Sequence, residues 1–244
     1  GGVDSTFLAA VAKKELGPRA LAVTIRSCVS PREEREESGK LARRIGIRQV
    51  TVDLDVFSVP HFRENPKNRC YFCKREVFGA IRKIAAKKGL PVVADGTNAD
   101  DLNDDRPGMR AIVELGVRSP LLEAGLTKAE VRKLSAVMGL PTADKPPMAC
   151  LATRVPVGEE ITVEKLEAAD QAEEALRRLG FRMVRVRHHG PIARIELPPE
   201  GITRACGAAT RKKIIAAVER VGFKHVTIDL AGYRTGQQKA AHRG

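Results

Sequence analysis

The sequence has no tryptophan, and its two Tyr and seven Phe supply only nine aromatic rings in 244 residues. A binder of single-stranded nucleic acid stacks bases on aromatic side chains, so that class is poorly served. No stretch approaches 18 consecutive apolar residues, so neither a membrane-spanning helix nor a signal peptide is expected. Five Cys are too few for a secreted disulfide scaffold of this length, and metal or redox use in a reducing cytoplasm is the expectation. The absence of a Gly-Lys-Ser/Thr string excludes a Walker-type phosphate loop. No second C-x-x-C completes a four-cysteine zinc ribbon. What the chain has in excess is positive charge, 43 Lys and Arg against 30 Asp and Glu, or net +13. That balance points to nucleic acid or small polyanions as partners. With 43% hydrophobic and 30% charged residues, the chain is globular.

The chain opens on Gly1-Gly2-Val3-Asp4-Ser5-Thr6 with no initiator Met and no strand ahead of the glycines, so an N-terminal truncation is expected. A helix is predicted over 5–16, a strand over 20–25, a charged helix over 32–45 and a strand over 49–54. After a Pro- and Asn-rich stretch, a helix is predicted over 71–88 and a strand over 91–95. This alternation predicts an α/β fold with a doubly wound parallel sheet. Its ligands sit at the carboxyl ends of the strands, where the Gly-rich turn and Asp95-Gly96-Thr97-Asn98 both fall. Thr127 to Glu130 reads as a capping box that opens a helix to about 138. Prolines at 141, 146 and 147 mark a loop leading to Cys150, and the domain boundary is placed there. Residues 151–244 predict a smaller α+β domain: a helix over 162–179, strands over 181–187 and 192–197, a helix over 208–221 and a strand over 223–230. The stretch from Arg234 to Gly244 lacks acids and is expected to be mobile.

Three features carry candidate chemistry. The two glycines, a helix N-terminus and the hydroxyls of Ser5 and Thr6 make a natural seat for a phosphate or pyrophosphate, or else a tight strand-to-helix turn. Asn68-Arg69-Cys70-Tyr71-Phe72-Cys73-Lys74 places a C-x-x-C at the start of a helix, and Cys150 follows far downstream. A dithiol pair, half a zinc site and cluster ligation all fit the C-x-x-C taken alone. Three Cys without a fourth suit a [4Fe-4S] cluster with one iron left open. Cys28 and Cys206 read as small buried hydrophobes. Lys74 and Arg69 flank the thiols, either to neutralise them or as surface charge. Asp4, Asp95, Asp100 and Asp104 are oxygen donors suited to magnesium, though 100–105 also reads as a solvated acidic loop.

The third feature is a cationic strand. Six Arg between 177 and 194 have no acid among them. Arg185 and Arg187 share one strand face, with Val184 and Val186 opposite, and suit bidentate phosphate binding or an inter-subunit salt bridge. Glu173, on the preceding helix, reads as a solvated residue before it reads as a substrate contact. His188 and His189 point to opposite strand faces and read as a turn flank. The role of Asp229 does not follow from the pattern.

Gly1-Gly2-Val3-Asp4-Ser5 resembles the pyrophosphate loop of PP-loop ATP pyrophosphatases, whose pattern has one more Ser before the glycines. Asp95-Gly96-Thr97-Asn98-Ala99-Asp100-Asp101, Arg106-Pro107-Gly108, Ser119-Pro120-Leu121, Glu123 to Lys128, Asp144-Lys145-Pro146 and Cys150 to Arg154 follow in order. From Gly1 to about Gly236 the chain resembles the LarE family of ATP-dependent sulfur transferases. That resemblance implies adenylation of a carboxylate on pyridinium-3,5-dicarboxylate mononucleotide, then sulfur attack to give a thiocarboxylate for a nickel-pincer cofactor. It implies that Gly1 to Thr6 and Asp95 to Asn98 hold ATP, and of the oxygen donors Asp4 and Asp100 are the candidates for Mg2+. Thr153, Arg154, Arg185 and Arg187 are implied at the mononucleotide, and Glu173 is a weaker candidate there. Family members of one type sacrifice the sulfur of a single Cys at the Cys150 position. Others carry three, as here at Cys70, Cys73 and Cys150, and the implied cofactor is then a [4Fe-4S] cluster. A homohexamer is the family's assembly.

Two other functions fit parts of the pattern. A PP-loop tRNA-thiolating enzyme would use the charge, and a nucleotide-binding module would need no turnover. The charge divides evenly at Cys150, +7 before it and +6 after it. It therefore suits nucleotides better than one RNA-binding domain.

Overall fold

A computed structural model describes residues 1–103 and 107–233; Asp104, Arg106 and the stretch from Arg234 to Gly244 lie outside the described residues. The chain divides into two units, residues 1–62 with 67–148, and residues 63–66 with 149–244. No helix among the described residues is long and apolar enough to cross a membrane.

Unit 1 is α/β. Helix α1 (Val3–Leu16) follows the extended N-cap Gly2 and buries Val3 and Phe7 against Leu121 and Val131. Strands β1 (Leu21–Arg26) and β2 (Arg48–Asp53) pair in parallel, Leu21 opposite Arg48 and Arg26 opposite Asp53. Between them runs α2 (Arg32–Ile45), with Glu33 and Glu34 in its first turn and Arg43 and Arg44 in its last. Those charges complement the helix dipole at both ends. Gly46, at φ 73, ends it in the left-handed region that a side chain disfavours. Helix α3 (Arg69–Lys87) carries the C-x-x-C on its first turn.

The strand expected over 91–95 reduces to one parallel bridge, Ala94 with Arg118. Arg118 N–H donates to the Val93 carbonyl and Asp95 N–H to the Arg118 carbonyl, both at 2.9 Å. Val92 remains 60% exposed, so the segment lacks the burial that holds an interior parallel strand. Two helices absent from the sequence reading follow, α4 (Pro107–Glu114) and the single turn α5 (Pro120–Glu123). Helix α6 (Lys128–Val137) has the expected capping box, Thr127 with Glu130.

Unit 2 is α+β. A short 3-10 turn (Leu151–Arg154) leads to α7 (Val163–Arg178), then β3 (Arg185–His189) and β4 (Ile192–Glu196) pair antiparallel around Gly190. Helices α8 (Pro199–Cys206) and α9 (Ala208–Glu219) precede β5 (His225–Ile228), which pairs parallel with β4. The first strand starts at Arg185 rather than 181, because Phe181 turns into the core. The last is shorter than 223–230 for the same reason at Phe223. Helix α8 was not expected. The core gathers Ala172 and Leu176 of α7, Val186, Ala193 and Ile195 of the sheet, and Ile214 and Val218 of α9.

Candidate functional site

In unit 1 the glycine-led turn meets the Asp95–Asn98 loop. A methyl group on Gly96 would stand 2.9 Å from the Ser5 backbone nitrogen and 3.2 Å from the Asp4 carbonyl carbon. Only glycine permits that approach. Asn98 Nδ2 donates to Asp4 Oδ1 at 3.3 Å, and Lys128 Nζ pairs with Asp4 Oδ2. Asp100 Oδ2 accepts from the Lys128 backbone N–H at 2.9 Å, and Asn98 Oδ1 from Asp100 N–H at 3.0 Å. The first turn of α1, whose leading N–H groups have no partner within the helix, thus lies beside a compact set of polar side chains.

Asp95 is occupied locally. It accepts from Thr97 Oγ1 at 2.6 Å, Ser119 Oγ at 2.7 Å and Thr97 N–H at 3.2 Å, which holds the loop in shape. Lys145 donates to the Gly1 carbonyl at 3.2 Å and pairs with Glu37 at 2.5 Å. Lys128 and Lys145 stand in the strings that carry the resemblance, but no role was read for either. The signal at Lys128 was its place at the first position of α6, where a cation opposes the helix dipole unless anions compensate, as Asp4 and Asp100 do.

Cys70 and Cys73 sit on the first turn of α3 in unit 1, exposed and half-buried. Gly108 of α4 packs on this turn: a methyl group there would lie 2.8 Å from Lys74 Cδ and 3.5 Å from the Cys70 carbonyl oxygen. Cys150 is exposed and begins the 3-10 turn of unit 2. Among the described residues, no three His, Cys, Asp or Glu side chains gather in a group that could hold a metal ion. Of the two remaining cysteines, Cys28 is half-buried, and Cys206 is exposed at the end of α8 rather than buried.

In unit 2 the Cys150 turn and the arginine strand form one hydrogen-bonded network. The Cys150 carbonyl accepts from Thr153 Oγ1 at 2.8 Å, Thr153 N–H at 3.0 Å and Arg154 Nη1 at 3.4 Å. Arg154, 1% exposed, makes a two-point pair with Glu173, Nε–Oε1 at 2.6 Å and Nη2–Oε2 at 3.1 Å. Glu173 also accepts from Val186 N–H at 3.0 Å and lies 3.5 Å from Arg177 Nη1. It is wholly buried rather than on a solvated face. Despite that burial, Arg154 and Arg185 hold its carboxyl below the ordinary value. Arg187 binds Glu196 at two points, 2.8 and 3.0 Å, and donates to the Thr153 carbonyl at 2.5 Å. Arg194 bridges Glu196 and Asp229, which gives Asp229 its role.

Four guanidinium groups of this cluster pair with three carboxylates: Arg154 and Arg177 with Glu173, Arg187 with Glu196, and Arg194 with Glu196 and Asp229. Arg185 is buried, donates to the Val184 carbonyl at 3.0 Å, and stacks 5.3 Å from the Tyr233 ring. Burial first, then the charge of Arg154, lowers its pKa from the ordinary value. A cation in that setting gains from a nearby anion. The two arginines of the strand differ in setting: Arg187 binds Glu196 at two points, and Arg185 is buried on the Val184 carbonyl beside the Tyr233 ring.

His189 Nε2 accepts from Arg194 Nε at 3.2 Å, and the His188 ring lies 5.1 Å from that of Phe223. Burial lowers both imidazoles from 6.5, helped by Lys165 at His188 and Arg194 at His189 and opposed by Glu159 at both. The folded chain keeps them neutral where the unfolded chain binds protons. Their contribution to stability is therefore complete above pH 6.5 and is lost as pH falls through 6.5 toward the lowered folded values. Thermal unfolding followed by circular dichroism should show the midpoint dropping over that range. Replacing both His with Gln should flatten the dependence.

No protein-family model matches the chain. It is 46% identical over 237 residues to the uncharacterized protein slr1717 of Synechocystis, covering 97% of this chain and 88% of the relative. It is 35% identical over 238 residues to the pyridinium-3,5-bisthiocarboxylic acid mononucleotide synthase of Lactiplantibacillus plantarum, covering 97% and 86%. Among solved structures, the NMN synthetase of Francisella tularensis aligns with a TM-score of 0.48 at 16% identity, over 91% of this chain and 82% of that one. The class is that of the PP-loop proteins. Within it, the chain belongs to the LarE family, that of the Lactiplantibacillus synthase.

Proposed function

We propose that the protein is an ATP-dependent sulfur transferase acting on pyridinium-3,5-dicarboxylate mononucleotide. Unit 1 is the ATP-binding domain, with pyrophosphate seated at Gly1–Thr6 and the Asp95–Asn98 loop beside it. Asp4 and Asp100 would hold Mg2+ there, where the metal would neutralise charge on the ATP phosphates. A substrate carboxylate oxygen attacks the α-phosphorus and pyrophosphate leaves. A sulfide-level sulfur then attacks the acyl carbon and AMP leaves, giving a thiocarboxylate. Adenylation is needed because a carboxylate oxygen is a poor leaving group and AMP a good one.

The observation that carries this reading is the continuity of the unit 2 network. The Cys150 turn, Arg154, Glu173 and Arg187 share direct hydrogen bonds with the strand that bears Arg185. A sulfur-bearing residue and a seat for a phosphorylated substrate are thus built on one frame. Arg185 takes the phosphate, Thr153 lies at the substrate, and Arg154, Glu173 and Arg187 keep the frame in register. The product serves nickel-pincer cofactor synthesis, and unit 2 also makes the contacts of a homohexamer.

Cys70, Cys73 and Cys150 are the soft thiolate donors that iron–sulfur clusters take, and two of them are exposed. Together they would hold a [4Fe-4S] cluster, which would carry the transferable sulfide.

Pyrophosphate release from ATP should require the dicarboxylate mononucleotide and be indifferent to tRNA. Release stimulated by tRNA, with steep salt dependence, would move the assignment to RNA thiolation. Gly96→Ala should weaken ATP binding by about 1–3 kcal/mol, because its methyl group forces the α1 turn away. Isothermal calorimetry with a non-hydrolysable ATP analogue checks this.

A further inference from the structure

Beyond β5 the chain of unit 2 makes a turn that ends on Tyr233, and each step of that turn is fastened. Asp229 N–H donates to the Ile195 carbonyl of β4 at 2.9 Å, and its carboxylate pairs with Arg194. The same carboxylate accepts from Ala231 N–H at 2.9 Å, and the Asp229 carbonyl accepts from Gly232 N–H at 3.0 Å. Gly232 is buried at φ 72, in the left-handed region that side chains disfavour. A methyl group there would stand 2.9 Å from the Leu197 carbonyl oxygen, so glycine alone fits. Tyr233 N–H donates to that same carbonyl at 2.9 Å.

What the turn delivers is an aromatic ring. The Tyr233 ring centre lies 5.3 Å from the Arg185 guanidinium carbon, within the range of a cation–π contact. A guanidinium grips a phosphate through its N–H donors, and a ring contact is not a hydrogen bond to a lone pair that consumes them. The contact does restrict the rotamers of a long side chain, a freedom that an arriving anion would otherwise have to freeze. The neighbouring Arg187 is fixed by the carboxylate of Glu196, which takes up its charge. A neutral ring restrains Arg185 without doing so.

We propose that Tyr233 is a positioning residue for the mononucleotide phosphate, holding the Arg185 guanidinium ready to receive it. The proposal rests on the reading that Arg185 takes that phosphate. Isothermal calorimetry of the full chain tests it, with pyridinium-3,5-dicarboxylate mononucleotide and its dephosphorylated nucleoside as the two probes. Tyr233→Leu should weaken the mononucleotide about tenfold and leave the nucleoside unchanged. Tyr233→Phe keeps the ring and should bind both as the parent does. Arg185→Gln should lose the preference for mononucleotide over nucleoside, and adding Tyr233→Leu to it should cost nothing more.

If Tyr233→Leu loses its native circular dichroism, Tyr233→Met carries the same comparisons. Equal weakening of both probes by Tyr233→Leu would make the residue merely structural and overturn the proposal. Parent-like mononucleotide affinity in Tyr233→Leu, while Arg185→Gln loses the preference, overturns the role of Tyr233 and leaves the phosphate seat intact. An Arg185→Gln protein that keeps the preference overturns the seat, and the proposal with it.

Discussion

Cys150→Ser is expected to abolish thiocarboxylate formation, by roughly a thousandfold or more, while the chain still folds and still adenylates the mononucleotide. A hydroxyl neither carries transferable sulfur nor binds iron as a thiolate does. The side chain is exposed and serine is close to it in size, so the substitution is expected to leave the fold intact. The backbone of the turn is held by Thr153 and Arg154 through the Cys150 carbonyl, which serine retains. Pyrophosphate release should therefore continue as the thioacid disappears. A variant that loses both steps together would place Cys150 in nucleotide or substrate binding instead. Mass spectrometry of the parent after turnover separates two routes: loss of the elements of hydrogen sulfide from Cys150 marks sacrificial transfer, and an intact Cys150 marks a renewable sulfur.

Glu173→Ala is expected to destabilise the protein by about 3–5 kcal/mol, enough to unfold many domains. The residue is wholly buried, pairs with a guanidinium that is itself 1% exposed, and accepts the Val186 N–H. Alanine leaves Arg154 as an uncompensated buried charge and orphans a sheet amide. The loss should appear as a lower urea midpoint. Glu173→Met with Arg154→Met should recover most of that stability, since the expensive state is the unpaired charge and not the missing bridge. It should not recover activity, because the Cys150 carbonyl loses its Arg154 donor. A Glu173→Ala protein with an unchanged midpoint would mean that the pair is open to water.

The regular elements were legible in the sequence where local pattern decides them. Helix α2 spans the same 32–45 as its prediction, and the α6 capping box is present residue for residue. The strand over 91–95 failed because strand identity depends on neighbours that a local pattern does not contain. Helices α4, α5 and α8 are short, and α8 starts on a proline that reads equally well as a breaker.

At the arginine cluster the pattern gave the shared face of Arg185 and Arg187 but not their partners. The stretch 177–194 is free of acids, yet Glu173, Glu196 and Asp229 reach it from α7, β4 and the end of β5. Those pairings are tertiary and have no local signature. Glu173 did carry a signal that was passed over. Leu166, Ala169, Glu173 and Leu176 fall on one stripe of α7, all buried. A carboxylate on an apolar stripe demands a buried cation.

The central claim is tested most directly by a single-turnover incubation of ATP with pyridinium-3,5-dicarboxylate mononucleotide and the anaerobically prepared protein. Mass spectrometry of the quenched small molecules should show one oxygen of a substrate carboxylate replaced by sulfur, with one AMP formed per sulfur inserted. AMP and pyrophosphate with only unmodified dicarboxylate recovered, under conditions where Cys150 is intact and reduced, would contradict it.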